Sequence, residues 1–304
     1  MIQNLIDGFL TGSYISLGAI GLTLVMHILR FANFSHAELL SLGAYSALVC
    51  DALVTALVPV FATKLAPLSL TWALILAIPF AMALTGLSAW LIDRLVFKRV
   101  REKGQELSMV FASFGMALVI RNVIGLIFGL SPELYSRDIA FAMVLSLDPL
   151  ILVKPDQVFV LVAALVLMLI LHLILSRTTF GYRLRAVAEN PSLAQVNGVN
   201  LSRTIAAVWL IGGALAAVAG VFYGLSHQLI PVMGRDLVLP IFAATIVGGI
   251  GSVYGAVLGG FIVGLASNLA LVILPSGYTP SVPFLLIILV LMVRPNGLFG
   301  EARA

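Results

Sequence analysis

Four residues near the start of the chain, Asn33, Ser35, His36 and Glu38, place an amide, a hydroxyl, an imidazole and a carboxylate inside an otherwise apolar region. Such groups can pass a small polar solute along, or they can serve the backbone. A serine three residues before a glutamate fits a capping box, in which hydroxyl and carboxylate each satisfy a free N–H at a helix start. That spacing predicts a helix from Ser35 to about residue 53. For Asn33 and Ser35 the functional reading is the better one. A helix start inside a bilayer leaves unpaired backbone donors, and transporters build binding sites at broken helices. For His36 the structural alternative is a hydrogen bond to a neighbouring helix, and for Glu38 it is the cap. For Arg121, near the middle of a later apolar run, it is an ion pair or snorkelling to the outer face. A second break, Gly248, Gly249, Gly251 and Ser252, is expected to contribute to the same translocation pathway, with plain helix packing as its alternative.

Other chemistries are excluded or disfavoured. None of the four lysines follows a glycine, so there is no GxxxxGK[ST] phosphate loop and no ATP hydrolysis by the chain itself. The GGIGSVYG run lacks the GxGxxG spacing of a dinucleotide site. HExxH, CxxC and GxSxG are absent, and His27, His36, His172 and His227 are too scattered for a metal site. Cys50 is a lone cysteine with no evident base beside it. No catalytic residue, metal or cofactor is therefore expected in this chain.

The elements that hold these groups follow from composition. Of 304 residues, 61% are hydrophobic and 10% charged, against about a quarter charged in soluble domains. A spanning helix takes roughly 20 apolar residues, and the apolar runs are too continuous for alternating barrel strands. The fold class is all-α: a polytopic transmembrane bundle of about nine spans (eight to ten), with broken or re-entrant helices and an inverted repeat. Spans are expected at about 5–29, 35–53, 68–92, 107–130, 158–175, 204–225, 237–250, 253–274 and 284–293, with basic or polar loops at 93–106 and 131–155. The N-terminus has no basic stretch or small-residue cleavage site, so it reads as the start of the first span rather than a signal peptide. Small residues recur every fourth position at Gly8, Gly12 and Ser16, at Gly212, Ala216, Gly220 and Gly224, and at Gly251, Gly255 and Gly259. These stripes predict close helix packing.

Between the apolar halves lies a polar island, residues 177–200, RTTFGYRLRAVAENPSLAQVNGVN. It suits a small helix lying flat at the membrane face, where a soluble partner could grip it; an ordinary basic loop is the alternative. With alternating spans and the N-terminus outside, Arg30, Arg94, Lys98, Arg99, Arg101, Lys103, Arg177, Arg183, Arg185, Arg203, Arg294 and Arg303 fall inside. Only Lys64, Arg137, Lys154 and Arg235 fall outside. Cytoplasmic loops carry the excess of Lys and Arg, so the island and the C-terminus are expected in the cytoplasm. The pI near 9.4 then reflects membrane sidedness and not nucleic-acid binding.

Five segments, NFSHAELLSLGAY (33–45), GYRLRAVAENPSLAQVNGVN (181–200), GGALAAVAGVFYG (212–224), AATIVGGIGSVYGAVLGGFIVG (243–264) and RPNGLFG (294–300), resemble one family in order along the chain. They look like the permease subunits of high-affinity branched-chain amino-acid ABC importers, LivH type; related permeases serve urea, amides and aromatic acids. The resemblance implies a single permease domain over 1–304 in the bacterial inner membrane. It implies as partners a second, LivM-type permease, two cytoplasmic ATPase subunits that hold ATP and Mg, and a periplasmic substrate-binding protein. It also implies a coupling helix at about 186–196, built from Ala186, Val187, Ala188, Glu189, Asn190, Pro191, Ser192, Leu193 and Ala194, with Glu189 and Asn190 as its polar centre. A stand-alone secondary transporter is the rival reading; it would need paired intramembrane acids, and Glu38 has no evident acidic partner.

Overall fold

The computed structural model describes residues 1–104, 106–135, 142–147 and 150–300; Arg137, Pro149 and Arg303 lie outside them. In chain order the helices are α1 (Ile2–Leu29), α2 (Ser35–Leu57), α3 (Trp72–Ile92), α4 (Lys98–Lys103), α5 (Glu106–Phe128) and α6 (Pro155–Arg177). There follow α7 (Thr179–Glu189), α8 (Pro191–Val196), α9 (Leu201–Ser226), α10 (Met233–Gly248), α11 (Val253–Ala270) and α12 (Val282–Val293). Among the described residues, eight helical stretches are long and apolar enough to cross a membrane, and α10, at 16 residues, is a shorter ninth apolar helix.

Two expected loops are structured. The basic segment after α3 does not leave the helix: a π-helical turn, Asp93–Phe97, joins α3 to α4 in one 32-residue stretch, Trp72–Lys103. Several of its charges are paired: Arg101 Nη1 donates to the buried Asp93 at 3.2 Å, and Lys98 lies 3.9 Å from Glu102. In the segment expected as a loop over 131–155, β1 (Met143–Leu147) pairs antiparallel with β2 (Leu150–Val153). At that end of the bundle the half-buried Tyr135 donates its hydroxyl to the Ala44 carbonyl at 2.8 Å. Burial raises its phenol well above the ordinary value, so it remains a neutral donor.

The glycine stripes set how the core packs. A Cβ on Gly12 would sit 2.8 Å from the Phe261 Cα, and one on Gly8 would sit 2.9 Å from the Leu265 Cα. Ser16 Oγ donates to the Val257 carbonyl at 2.8 Å. The small-residue face of α1 therefore lies directly on the Gly260 and Gly264 face of α11. The neighbouring α11 stripe, Gly255 and Gly259, lies on Gly248 and Ala244 of α10. Two stripes on one helix serve two neighbours, which is close backbone approach through small residues.

The same contacts define an inverted repeat. Helix α1 runs antiparallel to α9: Tyr14 meets Tyr223 edge-on at 5.6 Å, and Gly21 faces Gly212. Helix α2 runs antiparallel to α10: Glu38 abuts Gly234, and Phe34 stacks on Phe242 at 4.9 Å. Helix α1 packs on α11, and α9 packs on α3 through Gly86 and Gly213. The series α1–α2–α3 and α9–α10–α11 thus make matching contacts in opposite senses, and the starts of α2 and α10 meet within the bundle.

Candidate functional site

The polar start of α2 is buried at mid-depth. Asn33 and Glu38 are 0% exposed, and Ser35 and His36 are also buried. His36 Nε2 lies 3.0 Å from the Gly18 carbonyl, halfway along α1. Residues 30–34 therefore lead the chain from the end of α1 back into the bundle before α2 begins. The helix starts at Ser35, as its sequence predicts. The expected capping box is absent: no side chain caps α2 in that manner. Asn33 Oδ1 instead accepts the Ser35 N–H at 3.2 Å and the Ser35 hydroxyl at 2.7 Å.

Glu38 is taken by a distant partner. Arg121 on α5 donates to its Oε1 through Nε at 3.0 Å and through Nη2. Two guanidinium N–H groups hold this carboxylate, where a cap would engage a single backbone N–H, and the ion pair stands in place of the cap. Three buried atoms here have no protein partner: Asn33 Nδ2, His36 Nδ1 and Glu38 Oε2. Among the described residues no cluster of His, Cys, Asp or Glu could hold a metal ion.

The second break, Gly248 to Ser252, lies elsewhere. It falls at the far end of α10, where Gly251 faces His27 near the end of α1. The segment after α12 closes over it: the Leu298 and Phe299 N–H groups donate to the Val247 and Gly248 carbonyls at 2.9 and 3.0 Å. Gly249, Gly251 and Gly297 all have positive φ, which these tight turns require. Ser252 caps α11 by accepting the Gly255 N–H at 3.0 Å. The structure thus brings Asn33, Ser35, His36 and Glu38 together and leaves Gly248, Gly249, Gly251 and Ser252 as a separate, latched turn. The Asn-Gly pair at 296–297 is a turn signal, and it is where the latch bends.

The polar island forms two helices, so the single helix expected over 186–196 is not what the chain builds. Helix α7 ends at Glu189 and α8 begins at Pro191. Proline disfavours helical backbone in the residue before it, and Asn190 is extended at φ −147°. Its side chain accepts the Leu193 N–H at 3.0 Å, capping α8. Ala186 is half-buried, Val187, Ala188 and Ala194 face inward, and Glu189, Ser192 and Leu193 are exposed. Leu193, Val196 (85% exposed) and Tyr182 together present apolar surface outward from this element.

A buried polar helix start thus sits in a glycine-notched bundle that carries an exposed pair of helices. The sequence model described as "Branched-chain amino acid transport system / permease component" matches residues 4–292. The chain belongs to this permease family. It is 31% identical over 311 residues to the high-affinity branched-chain amino acid transport system permease protein LivH of Escherichia coli K12, covering 99% of this chain and 96% of that one. It is 30% identical over 305 residues to the permease BraD of Pseudomonas aeruginosa, again across 99% and 96% of the two chains. A third relative, the probable branched-chain permease LivH of Methanocaldococcus jannaschii, is 30% identical over 93% of this chain and 87% of its own. No solved structure matches.

Proposed function

We propose that this chain is the membrane-spanning permease subunit of a binding-protein-dependent importer carrying branched-chain amino acids into the cytoplasm, driven by ATP hydrolysis on separate subunits. The family match over nearly the whole chain is the observation that carries this reading. The proposed partners are a second permease, two ATPase subunits that bind ATP and Mg, and a periplasmic binding protein. The N-terminus lies outside, and the α7–α8 end and C-terminus lie in the cytoplasm. Ion-coupled transport by the chain alone is disfavoured because the Glu38 carboxylate is held in an ion pair with Arg121.

The mechanism has two ends. Closure of the ATPase dimer pulls on α7–α8, the coupling element, whose exposed Glu189, Ser192 and Leu193 meet the ATPases. The passage between the two permeases then changes the side it faces. The buried start of α2 supplies polar contacts to the moving solute through Asn33, Ser35 and His36, and Glu38 holds Arg121. Selectivity resides mainly in the binding protein, so this passage need not bind tightly.

The test is co-purification from the native membrane followed by uptake into vesicles. ATPase subunits and a second permease should travel with the chain, and the chain alone should move no solute. Glu189→Lys combined with Pro191→Gly should leave ATP hydrolysis running while uptake is lost. Unaided transport by the isolated chain, or normal uptake in the double variant, would refute the reading.

A further inference from the structure

Helix α1 ends in an unusual way. The residue that follows its end, Arg30, has φ 54° and ψ 31°, and among the described residues it is the one non-glycine residue at positive φ. Glycine normally occupies this left-handed position at a helix end. An arginine there is explained by what its side chain does. Nη2 donates to the Ala188 carbonyl at 3.0 Å, in the last turn of α7, where carbonyls lack helical partners and a cation is favoured. One residue thus ends α1 with its backbone and holds the end of α7 with its guanidinium.

The other side of Arg30 leads straight to the buried site. Three residues on, Asn33 holds the Ser35 N–H and hydroxyl. The connecting strip is itself fixed to α5: the Phe34 N–H donates to Ser113 Oγ at 3.1 Å, and Ser113 Oγ lies 3.3 Å from the Ala32 carbonyl. The strip is only five residues long and is pinned at Arg30, Asn33 and Phe34, so a displacement at Arg30 acts on a short segment tied to the start of α2.

We infer that Arg30 is the positioning residue that carries movement of α7–α8 to the buried start of α2. The inference rests on α7–α8 being the ATPase-facing element. A shift of α7 pulls the guanidinium, the strip turns at its left-handed hinge, and the Asn33–Ser35 contact and the Glu38–Arg121 pair move with it. Proximity alone does not establish such coupling, so the test reads the motion at both ends.

Arg30→Gly keeps the left-handed backbone without strain and removes the guanidinium, whereas Arg30→Lys returns a donor. In the intact transporter complex, Arg30→Gly should hydrolyse ATP within about twofold of the parent while uptake falls about fivefold or more, a typical coupling magnitude. Arg30→Lys should restore part of the uptake. Two reporters, Ser192→Cys in α8 and Ala32→Cys in the strip, are placed separately in a Cys50→Ser chain. Their rates of modification by a small maleimide are compared with and without trapped nucleotide. Both reporters should respond when Arg30 is present, and only the one at position 192 should respond in Arg30→Gly. A normal response at position 32, or normal uptake, in Arg30→Gly would overturn the inference. So would an Arg30→Gly protein that fails to assemble while Arg30→Lys assembles without regaining coupling, since Arg30 would then be only a structural cap. Silence at position 192 in the parent would instead remove the docking role of α7–α8, and the inference with it.

Discussion

The Glu38–Arg121 pair allows a sharp test because its two members are buried to different extents. The Glu38 side chain is 0% exposed and that of Arg121 is 21% exposed. Arg121→Met strands a carboxylate whose Oε2 already lacks a partner, and breaking a buried pair in this way costs about 3–5 kcal/mol. Glu38→Gln is milder. The amide oxygen can still accept from Arg121, so the loss is the difference between a charged and a neutral hydrogen bond, about 1–2 kcal/mol. The guanidinium, on a long and partly exposed stem, can also reach more polar surroundings. The double variant removes both charges and should be less damaged than the sum of the singles by about 1–3 kcal/mol. The assay is the thermal midpoint of the detergent-purified complex, with the amount of assembled protein in the membrane as a second measure. Equal losses in the two single variants, or strict additivity in the double, would refute the ion-pair account.

Four further outcomes are expected. Gly43→Ala drives a Cβ into the Ala217 Cα and should lower stability by about 1–3 kcal/mol through overpacking. Gly125→Ala meets its nearest atom at 3.6 Å and should be neutral or stabilising by up to about 1 kcal/mol, both read by thermal unfolding. Asn200→Ala removes the acceptor for the Arg203 N–H at the start of α9 and should cost about 1 kcal/mol, while Asn200→Asp should keep the cap and the thermal midpoint. Ser35→Ala should leave assembly intact, because Asn33 still receives the Ser35 N–H, and should alter transport if the site lines the passage. Loss of assembled protein would instead assign Ser35 to the fold.

Much of the bundle was legible because apolar run length is a direct consequence of the bilayer. The start of α2 was legible too, since a polar cluster gives way to an apolar run at Ser35. What sequence spacing could not reveal was which partner each polar group would find. Glu38 stands three residues after Ser35, which suggests a local cap, yet Arg121 lies 83 residues away and wins on charge. The island follows the same rule: the sequence places Glu189 and Asn190 at the polar centre of one helix, whereas Asn190 breaks it and its side chain begins α8. The basic stretch after α3 has the composition of a loop, but pairs such as Asp93 with Arg101 satisfy its charges along a continuous helix. The glycine stripes announced close packing, but not that α1 would meet α11.

That last pairing bears on how the protein is made. Ser16 and its acceptor at Val257 stand 241 residues apart, so α1 leaves the ribosome long before α11 exists. At about 5–20 residues per second the interval is on the order of 10–50 s. Through that time the first helix must lodge in lipid with its notched face unfilled, open to any other small-residue helix that drifts by. Lipid chains, or an earlier part of the bundle, must therefore cover this surface until its mate arrives.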